Sequence, residues 1–120
     1  MNSETANILA FLDHYSQAGT DNIATQIASD FKQRRIEKNM TRGDIAEKSG
    51  ISVSNIARFE QKGLISLKNL IAIASALNYT AEIKGIFSEP KYSTMEELTL
   101  IRQNTGKKKA YHKQKDNDKD

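Results

Sequence analysis

Residues 41–63 read TRGDIAEKSGISVSNIARFEQKG, and this stretch decides the fold. Thr41 and Ser52 each suit the N-cap of a short helix, because a hydroxyl oxygen can accept a hydrogen bond from the first turn. Gly50 and Gly63 suit the ends of those helices, because glycine adopts positive φ at little cost. The spacing therefore predicts two short helices joined by a tight turn, a helix-turn-helix.

The apolar residues of this stretch fit that geometry. Ile45 and Ala46 on the first helix, and Ile56 and Phe59 on the second, recur at the spacing of a buried face. Ile51 is placed to fill the turn between the helices. This arrangement leaves short or polar side chains on or near the outer face of the second helix, namely Ser52, Val53, Ser54, Asn55 and Arg58. A helix of this kind can enter the major groove of B-form DNA and approach base edges.

Helices are also predicted on both sides of this motif. Residues 3–17 carry an apolar stripe at roughly helical spacing, which Gly19 interrupts. Residues 21–39 form a second predicted helix with Asp21 as N-cap, and its expected buried stripe is Ile23, Ile27, Phe31 and Ile36. A further, strongly apolar helix is predicted from its cap at Ser66 to about Asn78.

The pattern weakens beyond residue 79. Residues 80–87 (TAEIKGIF) suit either a short strand or a last helical turn, and Ser93 or Thr94 can cap a short helix that ends near Arg102. From Gly106 the chain is rich in lysine and lacks a buriable pattern, which predicts disorder. We therefore expect an all-α protein divided into an N-terminal helix (1–20), a helix-turn-helix domain (21–79), a C-terminal extension (80–105) and a disordered basic tail (106–120).

Charge and composition narrow the function. The net charge is +3, but residues 31–68 alone carry +5 while residues 1–30 carry −4. A basic centre fits either one face that meets a polyanion or an ordinary solvated surface. The chain has no Cys and two distant His, so we expect no metal site, no cofactor and no enzymatic activity. No apolar run could span a membrane and no basic leader precedes one, so we expect a cytosolic protein.

Residues 23–77 resemble the Cro/cI (XRE-type) helix-turn-helix family. The resemblance depends on Thr41, Ile45-Ala46, Gly50-Ile51-Ser52, Ile56, Arg58-Phe59-Glu60, Gly63 and the run LIAIASAL at 70–77. It implies a five-helix, lambda-repressor-like domain that binds double-stranded DNA at specific sequences and regulates transcription. It also implies base contacts by Ser52, Val53, Ser54 and Arg58, and phosphate contacts by Thr41, Arg42, Asn55, Lys62, Ser66, Lys68 and Asn69.

The sequence departs from the family at Arg42, where the family usually has Gln. Arginine can bind the phosphate that this Gln contacts, but it braces the recognition helix differently. Gly43, the next residue, destabilises the first helical turn by about 0.5–1 kcal/mol relative to Ala. These departures affect the fine geometry of docking and leave the binding mode in place.

One such domain buries only about 600–1,000 Å² on DNA, so we expect a homodimer on a palindromic operator. The preferred dimer surface is the N-terminal apolar stripe, formed by Ile8, Leu9, Phe11, Leu12 and Tyr15; residues 83–87 are the alternative.

Two other functions remain open. Residues 59–78 together with GIFSEPKYSTMEEL (85–98) and the basic end resemble HipB-like antitoxins, which would imply a HipA-like kinase toxin as partner. The third reading is an adaptor whose helix-turn-helix no longer binds DNA.

Overall fold

The computed structural model describes Thr5, Ile8 and residues 17–110. All regular secondary structure in this part of the chain is helical, which confirms the predicted fold class. The helices are α1 (Gln17–Glu37), α2 (Arg42–Ser49), α3 (Val53–Lys62), α4 (Leu67–Ala76), α5 (Thr80–Lys84) and α6 (Met95–Asn104). The chain divides into two units at residues 84 and 85, so that α1 to α5 belong to the first unit and α6 to the second.

The predicted caps of the helix-turn-helix are confirmed. Thr41 and Ser52 accept hydrogen bonds from the backbone N–H of Asp44 and Asn55 at the starts of α2 and α3. Gly50 and Gly63 end these helices with φ of 76° and 69°. At Gly63 a β-carbon would lie 3.0 Å from the Ala24 carbonyl carbon, so this glycine is also required by its close approach to α1.

The core of the first unit lies where α1 to α4 meet. Phe31 of α1 packs edge-on against Phe59 of α3, with ring centroids 5.5 Å apart. The buried apolar residues are Ala28, Phe31, Ile45, Ile56, Phe59, Ile73, Ala74 and Leu77. Of the four residues predicted to be buried in the helix-turn-helix, Ile45, Ile56 and Phe59 are buried and Ala46 is partly buried against the core. This packing fixes α3 on its inner side, and the side chains on its opposite side are exposed.

The predicted boundary of α1 at Gly19 and Asp21 is wrong. The helix begins at Gln17 and continues through Gly19 and Asp21, so neither residue marks a boundary. A helix tolerates an internal glycine at a cost of about 1 kcal/mol, and Gly19 is buried here.

The buried stripe of α1 also differs from the predicted one. Ala28, Phe31 and Arg35 face the core, whereas Ile23, Ile27 and Ile36 are about half exposed. Only Phe31 was assigned to the stripe correctly, because side-chain size suggested isoleucines where close helix packing requires alanine.

The remaining predictions concern the ends of the chain. Residues 80–84 are helical, as one of the two alternatives proposed, and Thr94 caps α6 as predicted. Ile8 is exposed, while Leu9, Phe11, Leu12 and Tyr15 of the expected dimer stripe lie outside the described residues, as does the tail from 111. None of the described helices combines the length and apolar character that crossing a membrane requires.

Candidate nucleic-acid interface

The outer side of α3 presents the residues predicted to read bases. Ser52, Val53, Ser54 and Arg58 are all exposed, and so is Asn55. Their presentation follows from the sequence, because Ile56 and Phe59 are drawn into the core and turn the remaining positions outward. The side of α3 that a DNA groove would meet is therefore open to solvent.

Three predicted contact residues also serve as helix caps. The hydroxyl oxygens of Thr41, Ser52 and Ser66 accept hydrogen bonds of 3.0, 3.2 and 3.1 Å from backbone N–H groups in α2, α3 and α4. A capping hydroxyl still carries one hydrogen that it can donate. Each of these residues can therefore fix a helix start and donate to a phosphate oxygen at the same time.

A depression of about 280 Å³ joins α3 to the start of α4. Its lining includes four of the predicted contact residues, and the complete set is Asn55, Arg58, Leu64, Ile65, Ser66 and Asn69. The structure therefore brings together side chains from two helices that the sequence could only assign separately. The depression holds one cation, two amides and a hydroxyl, a set of groups suited to an anionic oxygen.

Three exposed cations of this region make no polar side-chain interaction with the described residues. Within residues 17–110, the side chains of Arg58, Lys62 and Lys68 make no hydrogen bond or ion pair with protein. Ser54 and Asn55 also have no side-chain partner there. Unpaired cations on a helical surface raise the local positive potential, which attracts a polyanion.

Arg42 takes part in a buried ionic cluster with Arg35 and Glu60. The Glu60 carboxylate, on a side chain only 1% exposed, accepts from Arg35 Nε and Nη2 at 2.8 and 2.9 Å. It also accepts from Arg42 Nε at 3.0 Å. Arg35 Nη1 donates to the Met40 carbonyl at 2.9 Å. The cluster therefore links α1, the start of α2 and the last turns of α3.

The geometry of Arg42 fits its predicted contact with phosphate. Its side chain is 30% exposed, and Nε alone is bonded to Glu60. Nη1 and Nη2 have no partner among the described residues, so one face of the guanidinium is held and the other is free to bind. Arg42 thus braces α2 against α3 through an ion pair with Glu60. This agrees with the expectation that arginine at this position braces α3 differently from the Gln that is usual in the family.

The ionic cluster also sets the pKa of Glu60. Burial acts to raise this pKa, because the carboxylate loses its water. The hydrogen bonds and positive charges of Arg35 and Arg42 outweigh burial, so the pKa of Glu60 lies below its ordinary value. The pKa of Asp44 is lowered as well, because the backbone N–H of Thr41 donates to its carboxylate at 2.8 Å.

Sequence reasoning missed the role of Arg35 and the exposed position of Leu64. By sequence alone Arg35 is one of three cations near the end of α1, with Arg34 and Lys38, where cations suit the helix dipole, yet Arg35 is buried. The signal was present, because Ala28, Phe31 and Arg35 follow one another at helical spacing on a single face. Leu64 is half exposed beside Arg58, and its place in the loop after Gly63 carries no such signal.

Comparison with families of known proteins gives a match for the part of the chain that holds this site. Residues 31–83 match the family described as helix-turn-helix. The match contains every residue predicted to contact bases or phosphates, and it confirms the resemblance deduced from the sequence. Neither a search of curated proteins nor a search of solved structures found a significant match.

Proposed function

We propose that the chain is a cytosolic transcriptional repressor that binds specific double-stranded DNA sequences. The premise is that residues 31–83 are a helix-turn-helix domain of the Cro/cI type. The domain itself supports a DNA-binding regulatory function. The observation that carries the finer proposal is the outer side of α3, where the side chains of Ser54, Asn55 and Arg58 are exposed and make no hydrogen bond or ion pair within residues 17–110.

In the proposed complex α3 lies in the major groove and α2 crosses the backbone. Ser52, Val53, Ser54 and Arg58 contact base edges, and Arg58 suits a bidentate pair with guanine. The phosphate contacts come from the two helix starts and the cations around them, namely Thr41, Arg42, Asn55, Lys62, Ser66, Lys68 and Asn69. Bound protein would then block access of the polymerase to the promoter.

Two copies are proposed to bind a palindrome whose half-sites lie about 34 Å apart. The proposed dimer surface is the N-terminal apolar stripe from Ile8 to Tyr15, because the described residues of α1 to α4 form a core among themselves. Sedimentation of the full chain and of a Leu12→Asp variant tests this part. A full chain that remains monomeric on its operator would contradict it.

The test of DNA binding is selection of duplexes from a random pool, followed by titration of the selected site at several salt concentrations. Arg58→Ala is expected to weaken binding by about 1–3 kcal/mol and to relax the preference at one base pair. Lys68→Ala is expected to weaken all duplexes alike and to reduce the salt slope by about 1.

Lys32→Ala provides the matched control, because Lys32 is an exposed lysine on α1 with no side-chain partner among the described residues. It should leave both affinity and sequence preference unchanged. An affinity for duplexes that is absent, or that does not respond to salt, would favour the adaptor. If Arg58→Ala no longer binds DNA but still controls the growth of cells that carry it, the antitoxin function would be favoured.

A further inference from the structure

We propose that Val53 recognises the 5-methyl group of a thymine in each operator half-site. This inference depends on the proposed function, since it specifies which chemical group of the DNA one residue of α3 contacts. Val53 is the first residue of α3 and follows the cap Ser52 directly, so it lies at the end of the helix that would enter the groove first.

Packing presents the Val53 side chain in a restricted orientation. The side chain is 48% exposed, and it lies three residues before the fully buried Ile56. One part of its surface is therefore covered by protein while the rest faces outward. Because valine is branched at Cβ, its χ1 angle has few alternatives in a helix. A contact through its outward methyl group would cost little further side-chain entropy.

Val53 is chemically unlike its neighbours. The other exposed residues of α3 are all polar or charged, namely Ser54, Asn55, Arg58, Gln61 and Lys62. Valine can neither donate nor accept a hydrogen bond. If Val53 lay against the N7 or O6 of guanine, or the N6 amino group of adenine, it would remove water from a polar group and offer no replacement.

The major groove offers one apolar group, the 5-methyl of thymine. Contact between this methyl and valine removes apolar surface from water on both sides, whereas contact between valine and a polar group of a base edge leaves that group without a hydrogen-bond partner. Val53 would therefore contribute to specificity by attraction to thymine and by rejection of polar edges. The flanking Ser52 and Ser54 are short and leave room for this approach.

The experiment uses the full chain and the duplex obtained by selection. Each thymine of one half-site is replaced in turn by deoxyuridine, which removes only the 5-methyl group. Burial of one methyl group corresponds to about a fourfold change in affinity. We expect one position per half-site where deoxyuridine weakens the wild-type protein by about fourfold, and no comparable loss at the other positions.

Val53→Ala should bind the thymine duplex more weakly than wild type and should bind the thymine and deoxyuridine duplexes equally. Gln61→Ala is the matched control, because Gln61 is an exposed residue of α3 outside the proposed contact set, and it should retain the fourfold difference. Thermal unfolding of both variants checks that α3 is intact.

Salt-dependent binding in which no thymine position is sensitive, or in which Val53→Ala keeps the sensitivity, would overturn the role of Val53 and leave the proposed function standing. A selected half-site without thymine would do the same. The absence of any salt-dependent duplex binding would overturn both proposals.

Discussion

Replacing Glu60 by Gln tests how much the buried ionic cluster contributes to stability. The Glu60 side chain is 1% exposed and that of Arg35 is 9% exposed, so both charges have lost nearly all their water. Glutamine removes the negative charge and places an amide donor where the carboxylate accepted hydrogen bonds. The Arg35 guanidinium then remains buried without a counterion.

Removing one partner of such a buried pair costs about 3–5 kcal/mol. A small domain has a total stability of about 5–15 kcal/mol, so this loss is a large fraction of it. Arg42→Ala should cost less, about 1 kcal/mol, because Arg35 still neutralises Glu60 and because Arg42 is 30% exposed.

Urea denaturation followed by circular dichroism measures both losses. Glu47→Gln is the control, since Glu47 is an exposed glutamate on α2 without a described partner, and it should change the free energy of unfolding by less than about 0.5 kcal/mol. An increase in salt from 0.1 to 0.5 M should alter the Glu60→Gln loss little, because salt screens buried charges weakly. A loss no larger than that of Glu47→Gln, at an unchanged m-value, would refute the reasoning.

Two further predictions concern stability. Gly63→Ala should destabilise the protein by about 2 kcal/mol or more, and Gly50→Ala by about 1 kcal/mol, as measured by thermal unfolding. Both glycines have positive φ, but only at Gly63 would the new β-carbon meet the backbone of Ala24. Equal losses at the two glycines would mean that this close approach has no energetic effect. Because the pKa of Glu60 is lower in the folded protein than its ordinary value of 4.5, its stabilising contribution is complete above that pH and is lost as the pH falls through the folded-state value. The free energy of unfolding should therefore decline below about pH 4.5, and this decline should be smaller in Glu60→Gln; identical acid profiles would contradict the assignment.

The helix-turn-helix could be predicted from sequence because its signals are local. The caps at Thr41 and Ser52 and the turns at Gly50 and Gly63 each depend on residues within one helical turn. The hydrophobic spacing of Ile56 and Phe59 then fixes which side of α3 is exposed.

What could not be predicted depends on distant residues. Arg35 and Glu60 are 25 positions apart, and neither shows in isolation that it will be buried with the other. The burial of Ala28 in place of Ile27 likewise follows from how closely α1 approaches α3, which a hydrophobic pattern does not encode. The depression between Arg58 and Ser66 exists only once both helices are positioned.

The close approach of Gly63 to Ala24 has a consequence for the extent of the smallest fragment able to fold. The family match starts at residue 31, yet Ala28 is fully buried and the backbone at Ala24 contacts the turn that follows α3. A fragment that begins at residue 31, where the match starts, would lack these contacts and would expose one side of the core beside Phe59. The first half of α1 therefore supports α3 structurally, and a truncated protein that keeps this support has to begin upstream of Ala24.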